Sequence, residues 1–319
     1  MKASIYTEYG SPDVLQIKEV AKPSPGDQEI LVRVYSATVN RTDCAMLRAK
    51  PFIMRFFTGL RKPANPILGT DFAGEIEAIG KKVTSYKVGN KVFGFDDGGV
   101  RSHAQYLTIA ETKAIATMPA ISYEQAAASL EGAHYAYNFI NKVTLEKGQK
   151  VLVYGATGAI GSAAVQLAVY FGAAVTAVCK TENFELMKSL GATTLIDYTK
   201  EDFTKSSEKY QYVFDTVGKS TFSKCKPSLM PDGVYISSEL GPGGENIYLP
   251  LITKIRGGKK VKFPLPLDKQ GSVLLIKRLI EEGKFKAVID RKYPLEQVAD
   301  AFRYVEKGEK IGNVVITIA

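Results

Sequence analysis

The run VLVYGATGAIGSAAVQLA, residues 151–168, contains a strand signal, a glycine turn and a helix signal in that order. Val151, Leu152 and Val153 form an apolar, largely β-branched string that suits a buried strand. The turn Gly155-Ala156-Thr157-Gly158-Ala159-Ile160-Gly161 follows, and then good helix formers with an apolar face. Such spacing has a physical reading: Gly158 lets backbone approach a pyrophosphate, and Gly161 lets the helix sit close to the strand. The helix N-terminus adds free N–H groups and a partial positive charge. Ala156 stands where the six-residue fingerprint opens with glycine, and Gly155 lies one place earlier. By itself the turn would serve any strand-to-helix connection; its context points to a dinucleotide site.

Composition bounds the rest. A chain of 319 residues has room for two domains, and 45% hydrophobic with 24% charged residues is ordinary for a globular protein. No apolar run approaches the ~20 residues that span a bilayer, and MKASIYTEYGSPDVL lacks a signal-peptide core. A cytoplasmic location is the expectation. Cys44, Cys179 and Cys225 are too scattered for a disulfide framework or a CxxC metal site. The net charge of +9 is spread along the chain beside 33 acidic residues, without a nucleic-acid motif. It reads as a surface that attracts anionic small molecules, such as a phosphorylated cofactor.

About the first 120 residues are rich in short strands and turns: MKASIYTEYG, LQIKEV, EILVRVYSATV, GEIEAIG, NKVFGFD and AQYLTI, with the loop AKPSPGDQ between the second and third. That texture predicts a small barrel-like β domain. Ser122 and Gln125 then open an Ala-rich helix. From Gly148 strands and helices alternate through AVTAVC, TLIDY, YVFDTVG and GVYISSEL, which predicts βαβ units and a parallel sheet. The tail adds the helix SVLLIKRLIEEG, the strand AVIDRKYP, the helix EQVADAFRYVEKG and the strand NVVITIA.

The fragments MKASIYTEYGSPDVLQIKEV, VNRTDCAML, NPILGTDFAGEIEAIG, KVGNKVFGF, LEGAHYAYNFI, KSLGATTLIDYTKEDF, VFDTVG and GNVVI occur in one order along nearly the full length. With the glycine turn, this series resembles the medium-chain dehydrogenase/reductase superfamily, in its zinc-free quinone oxidoreductase branch. The resemblance implies an α/β protein with a GroES-like β-rich catalytic domain, residues 1–122, to which segment 267–319 returns. A Rossmann domain with a doubly wound parallel sheet, residues 123–266, would bind NADP. The active site is implied in the cleft, and the assembly as a homodimer.

Zinc-dependent members place a Cys, a Gly-His-Glu histidine and a later Cys on the metal, with one position open. Here the first position is Asn40 and the second motif reads Gly69-Thr70-Asp71. Neither His103 nor His134 stands in a ligand motif, and no four-cysteine loop follows Phe95. Cys44 reads as a small buried residue. No metal is expected.

In NAD-specific relatives an acid ends the second Rossmann strand and binds the ribose 2′-OH. The matching residue is Cys179, followed by Lys180, Thr181 and Asn183, which favours the 2′-phosphate of NADPH. Glu182 opposes this unless the turn points it away, and Lys180 as a plain solvated lysine stays open. Tyr198 occupies a place that lies near the 2′-phosphate in relatives. Carried over less firmly are Thr216, Val217 and Gly218 at the adenosine ribose, Ser237, Ser238 and Leu240 at the nicotinamide ribose, and Asn313.

Without a metal or a Ser/His/Asp set, catalysis rests on positioning and on donors that polarise the substrate oxygen. A quinone or an α,β-unsaturated carbonyl is the natural hydride acceptor. Asn40 is the first candidate donor. Tyr135 is the second, beside the nicotinamide or as a packed aromatic. Thr42 and Asp43 are read as holding the local turn, and Asp71 a structural hydrogen-bond network. Residues 47–62 interleave Phe52, Ile53, Met54, Phe56 and Phe57 with Arg48, Lys50, Arg55, Arg61 and Lys62. They read as a wall of the substrate cleft, as a weak membrane-surface contact, or as a short packed helix. An enoyl-thioester reductase and an NADPH-binding protein with little catalysis are the rival readings of the whole chain.

Overall fold

The structure is a computed structural model that describes residues 1–52 and 54–318, with Phe57 in its backbone alone. The readings of Ile53 and of the Phe57 side chain fall outside the described residues. Contacts divide the chain into one unit of Met1–Glu131 with Lys269–Ala319, and a second of Gly132–Asp268.

The first unit begins with the antiparallel pair β1 (Lys2–Ile5) and β2 (Gln16–Glu19). It continues through β3 (Glu29–Val39), α1 (Arg41–Arg48), α2 (Met54–Thr58), β4 (Asp71–Ile79), β5 (Lys91–Phe95), β6 (Tyr106–Ala110), β7 (Ile115–Thr117) and α3 (Tyr123–Ala128). The Ser122 side chain caps α3 by accepting from the Gln125 N–H at 3.2 Å, as the sequence predicts. Since α3 packs on β3 and β4, the division falls at Glu131/Gly132, beyond residue 122.

The second unit holds α4 (Glu131–Ile140, from its second residue), β8 (Lys150–Tyr154), α5 (Ala159–Tyr170), β9 (Ala174–Cys179), α6 (Phe184–Ser189) and β10 (Thr194–Asp197). Then come β11 (Tyr210–Asp215), α7 (Phe222–Cys225), β12 (Leu229–Ser237), α8 (Glu245–Arg256) and β13 (Lys260–Lys262). The chain closes in the first unit with α9 (Lys269–Glu281), β14 (Ile289–Pro294), α10 (Val298–Glu306) and β15 (Asn313–Thr317).

In the first unit one sheet runs β14-β15-β3-β4-β5-β7, and β6 also pairs with β3. β15 lies antiparallel to β3, with Ile316 opposite Ala37, so the C-terminus is stitched into the N-terminal sheet. One core cluster includes Val32, Phe72 and Val92; another includes Leu47, Leu68, Phe302 and Val314. Full burial of each such side chain contributes about 1.5–3 kcal/mol.

In the second unit all six strands are parallel, in the order β10-β9-β8-β11-β12-β13. The chain winds outward one way from β8 and then the other way from β11, a doubly wound sheet whose order reverses between those two strands. Val151, Leu152 and Val153 are fully buried because parallel strands are covered on both faces. Helix α8 has no counterpart in the sequence reading: Pro250 lies inside it, and an interior proline argues against a helix.

Candidate functional site

At the C-terminal end of β8 the chain makes the glycine turn. Gly155 takes φ +78°, a region that suits glycine. Gly158 is the N-cap of α5, and the first amide to close onto its carbonyl is that of Ser162, at 2.8 Å. The amides of residues 159–161 precede that bond and form the open helix end. The two later glycines differ sharply. A Cβ on Gly161 would lie 2.2 Å from the Gly155 carbonyl oxygen and 2.8 Å from two Ala156 backbone atoms. A Cβ on Gly158 would meet nothing nearer than 3.6 Å. Gly161 is therefore required by the packing of helix on turn. Gly158 is not required by any described protein atom, and its open side fits a ligand approaching the helix N-terminus.

The fold brings several expected residues to this turn. Thr216 donates its hydroxyl to the Tyr154 carbonyl at 2.9 Å, and Val217 packs where a Gly155 side chain would stand. Gly218 follows with φ +62°. The Ser238 amide donates to the Asp215 carbonyl at 3.0 Å, and Ser237 is buried at the end of β12. Leu240 is exposed two residues on. Ligands of such sheets bind outside the carboxyl ends of the strands, where the order reverses.

Cys179 ends β9 with a buried thiol that burial pushes up to about 11. In register beside it, at the end of β10, lies Asp197, which the sequence reading passed over. Its carboxylate accepts from the Thr181 and Thr199 amides at 2.9 and 2.8 Å and from both their hydroxyls. These donors, the Thr181 hydroxyl first, hold its pKa well below the ordinary carboxylate range. Lys200 lies 3.7 Å away and donates to the Thr181 hydroxyl at 2.8 Å. Thr181, expected beside the phosphorylated ribose, donates its hydroxyl to Asp197 and so orders the turn. Lys180, Glu182, Tyr198 and Lys200 are exposed, while Asn183 is buried.

The first unit carries a separate, buried polar network. Asn40 caps α1 and is 4% exposed. Its side-chain N–H groups go to Thr38 Oγ1 at 2.6 Å and to Asp71 Oδ2 at 3.2 Å. Both side-chain N–H groups of this expected donor are therefore engaged, the Asp71 bond being the weaker. Asp71 also accepts from the Thr38 amide at 2.8 Å, which matches its expected network role. Asp43 accepts from the Asn40 and Gly69 amides at 2.9 and 3.1 Å, holding the local turn. Thr42 donates at 2.7 Å to Glu131, which also takes the Thr70 hydroxyl. Burial pushes the pKa of Asp43 and Glu131 up, each further raised by a neighbouring carboxylate. It pushes Asp71 up to about 7 and Lys310 down to about 8. Glu131 was missed because an acid in the first turn of an apolar helix reads as ordinary end chemistry.

Tyr135 is half-buried on α4, its ring edge-on to His134 at 5.5 Å. Asn313 sits in the first unit, where its amide donates to the Val288 carbonyl at 3.0 Å. His103 is buried and burial lowers its pKa to about 4, so it is neutral. All three cysteines are buried. Among the described residues no group of three His, Cys, Asp or Glu side chains is arranged to hold a metal ion, and no helix is long and apolar enough to cross a membrane. In the 47–62 segment α2 turns Met54 onto the core and leaves Phe52 and Phe56 about two-thirds exposed, edge-on at 6.2 Å.

Comparison with known proteins bears on this geometry. A family model described as the alcohol dehydrogenase GroES-like domain matches residues 26–138, and one described as a zinc-binding dehydrogenase matches residues 190–316. The chain is 34% identical to 2-methylene-furan-3-one reductase of Solanum lycopersicum, over 99% of its length and 79% of that protein's. It is 30% identical to the chloroplastic NADPH-dependent alkenal/one oxidoreductase of Arabidopsis thaliana, with the same coverage. The structure of the quinone oxidoreductase from Coxiella burnetii matches at TM-score 0.88 and 25% identity, over 100% of this chain and 99% of that one.

Proposed function

Because this chain belongs to the medium-chain dehydrogenase/reductase superfamily, in its quinone oxidoreductase-like branch, we propose that it is a zinc-independent NADPH-dependent reductase of quinones or α,β-unsaturated carbonyls. One observation carries the reading: the glycine turn leads into a helix end that the protein leaves open at Gly158, where a pyrophosphate would lie. Three further observations support it. The similar proteins named above act, by their names, on conjugated carbonyls or quinones. The Asp197 carboxylate, in register beside Cys179, is already saturated with donors, Lys200 among its neighbours, and Lys180, next in the chain after Cys179, is exposed. Asn40 and Thr70 stand where zinc-dependent relatives need Cys and His.

A bound nicotinamide supplies the hydride. The chain's own part is to bind, orient and polarise. Residues 156–161 form the pyrophosphate turn, and the open amides of 159–161 hold the phosphates, those of Ala156 and Gly158 being bonded to the Val178 and Gly155 carbonyls. Cys179, Lys180, Thr181, Asn183 and Tyr198 surround the phosphorylated ribose, with Thr181 shaping the turn and Lys180 supplying charge. Thr216, Val217, Gly218, Ser237, Ser238, Leu240 and Asn313 flank the remainder of the dinucleotide. Tyr135 lies beside the nicotinamide ring. Asn40 turns the N–H of its weaker bond, 3.2 Å from Asp71, toward the substrate oxygen and so stabilises the charge that hydride addition places there. Residues 47–62 form an apolar wall for bulky acceptors, and the assembly is a homodimer.

The test is cofactor consumption, followed by loss of nicotinamide absorbance, with a panel of quinones and enones. Turnover with NADPH that persists after dialysis against a chelator is expected. Tight NADPH binding without turnover on any acceptor would overturn the enzymatic reading.

A further inference from the structure

Among the described residues of the first unit the buried acids are Asp43, Asp71 and Glu131, and they are held in two different ways. Asp43 accepts the Asn40 and Gly69 amides and Asp71 accepts the Thr38 amide, so each of these fixes backbone. Glu131, 5% exposed, is bonded among the described residues only to the Thr42 and Thr70 hydroxyls. It fixes no backbone, and burying an acid is costly. Acids perturbed in this way cluster at functional sites.

Its two partners lie where the acceptor's oxygen is read to be. Asn40, the polarising donor, caps α1, and Thr42 stands in the first turn of that helix. Asp43 ties the Asn40 amide to that of Gly69, which brings Thr70 alongside. Thr42 is half-buried, between Glu131 and the outside, and its hydroxyl accepts no hydrogen bond among the described residues. A hydroxyl can accept from an acid on one side while donating on the other, which an amide N–H cannot. The charged groups around Glu131 are Asp43, Asp71 and Lys310, and Lys310 in turn faces Arg41, Cys44 and Asp290. Burial and then the Asp43 carboxylate raise the Glu131 pKa, against the two hydroxyls and the Lys310 charge, so the acid keeps a proton near neutral pH.

We propose that Glu131 is the proton source for the reduced acceptor and that the Thr42 hydroxyl hands the proton over. The proposal rests on the reductase reading above and adds its proton donor. Hydride addition to the β-carbon of an enone leaves an enolate. The Thr42 O–H bond breaks as the enolate takes that proton, and the Glu131 O–H bond breaks as Thr42 takes its replacement. Glu131 is left as a carboxylate, its charge held by the Thr70 hydroxyl and offset by the Lys310 ammonium until water returns a proton.

The experiment compares the full chain with Thr42→Val, Thr42→Ser and Glu131→Gln in enone reduction by NADPH over a range of pH, and in infrared titration of the cofactor-free protein. The parent's kcat is expected to fall as pH rises through the raised Glu131 pKa. Thr42→Val and Glu131→Gln should each lower kcat about a hundredfold and lose that pH dependence, with KM and NADPH binding largely kept. Thr42→Ser, which restores the hydroxyl, should recover most of the rate. The infrared spectrum at neutral pH should show a protonated-carboxyl band that Glu131→Gln removes and Thr42→Val keeps. A Thr42→Val enzyme with the parent's kcat and pH profile, a Thr42→Ser enzyme as slow as Thr42→Val, or a Glu131 ionised at neutral pH would overturn the relay and leave the reductase reading standing. A parent that binds NADPH and reduces no acceptor would overturn both.

Discussion

Gly158→Ala and Gly161→Ala add the same methyl group three residues apart, and the two changes should fail in opposite ways. At Gly161 the new carbon would sit 2.2 Å from the Gly155 carbonyl oxygen and 2.8 Å from Ala156 backbone atoms. Those atoms belong to the turn itself and have no flexible side chain to give way. Overpacking costs about 1–3 kcal/mol, and alanine's better helix propensity returns up to about 1 kcal/mol. A net loss of roughly 2 kcal/mol follows. At Gly158 the nearest atom would be 3.6 Å away. Alanine is a poorer N-cap than glycine by about 0.5–1 kcal/mol, but the stiffer unfolded chain returns about 0.4–1 kcal/mol. Stability should stay within about 0.5 kcal/mol of the parent. The cost appears in binding, because the methyl occupies the space through which a pyrophosphate reaches the amides. Loss of one or two charged hydrogen bonds, about 1.5–3 kcal/mol, weakens NADPH roughly tenfold to a hundredfold. Urea unfolding and a fluorescence titration of NADPH measure the two quantities separately. A Gly158→Ala protein that binds NADPH as the parent does would refute the reasoning, as would a Gly161→Ala protein of unchanged stability.

Lys180→Ala should weaken NADPH about fivefold to tenfold and leave NADH unchanged, in parallel titrations of both cofactors; equal losses would remove the 2′-phosphate assignment. Stability should fall as pH rises from ~4 to about 7. Asp71, with its folded pKa raised to about 7 by burial, keeps a proton that an unfolded carboxyl near ~4 has lost, so its contribution is present below ~4 and gone above 7. Glu131→Gln, a neutral side chain where burial raises the acid's pKa, should flatten that slope in urea melts at several pH values; a slope of the opposite sign would contradict the account. The thiols of Cys44, Cys179 and Cys225 are buried and their pKa values raised, so iodoacetamide at pH 8 should label none in the folded protein and all three in urea. Rapid labelling of the native chain would show an opening absent from this fold.

The parallel sheet was legible because its strands are buried on both faces and so read as unbroken apolar runs, as in Val151–Val153. The glycine turn was legible for a different reason: chain geometry restricts which residues can make it. Side-chain commitments were not legible. Asn40 and Thr181 are polar residues at the expected positions, yet their protons go to Thr38, Asp71 and Asp197, and the two carboxylates are supplied by other strands. Asp197 ends β10, eighteen residues after Cys179, and only the parallel register sets the two side by side. Glu131 meets Thr42 across 89 residues of chain. Helix α8 escaped notice because Pro250 interrupts its local signal. What the sequence concealed is which donor faces which acceptor, a property of the packed fold.

In the proposed reduction of a conjugated carbonyl the hydride goes to the β-carbon, which leaves an enolate for the polarising donor to stabilise. Reduction of an enone with NADPH deuterated at C4 of the nicotinamide, followed by NMR of the product, tests it most directly. The predicted product is the saturated ketone with deuterium on the β-carbon. Deuterium on the carbonyl carbon of an allylic alcohol would contradict it.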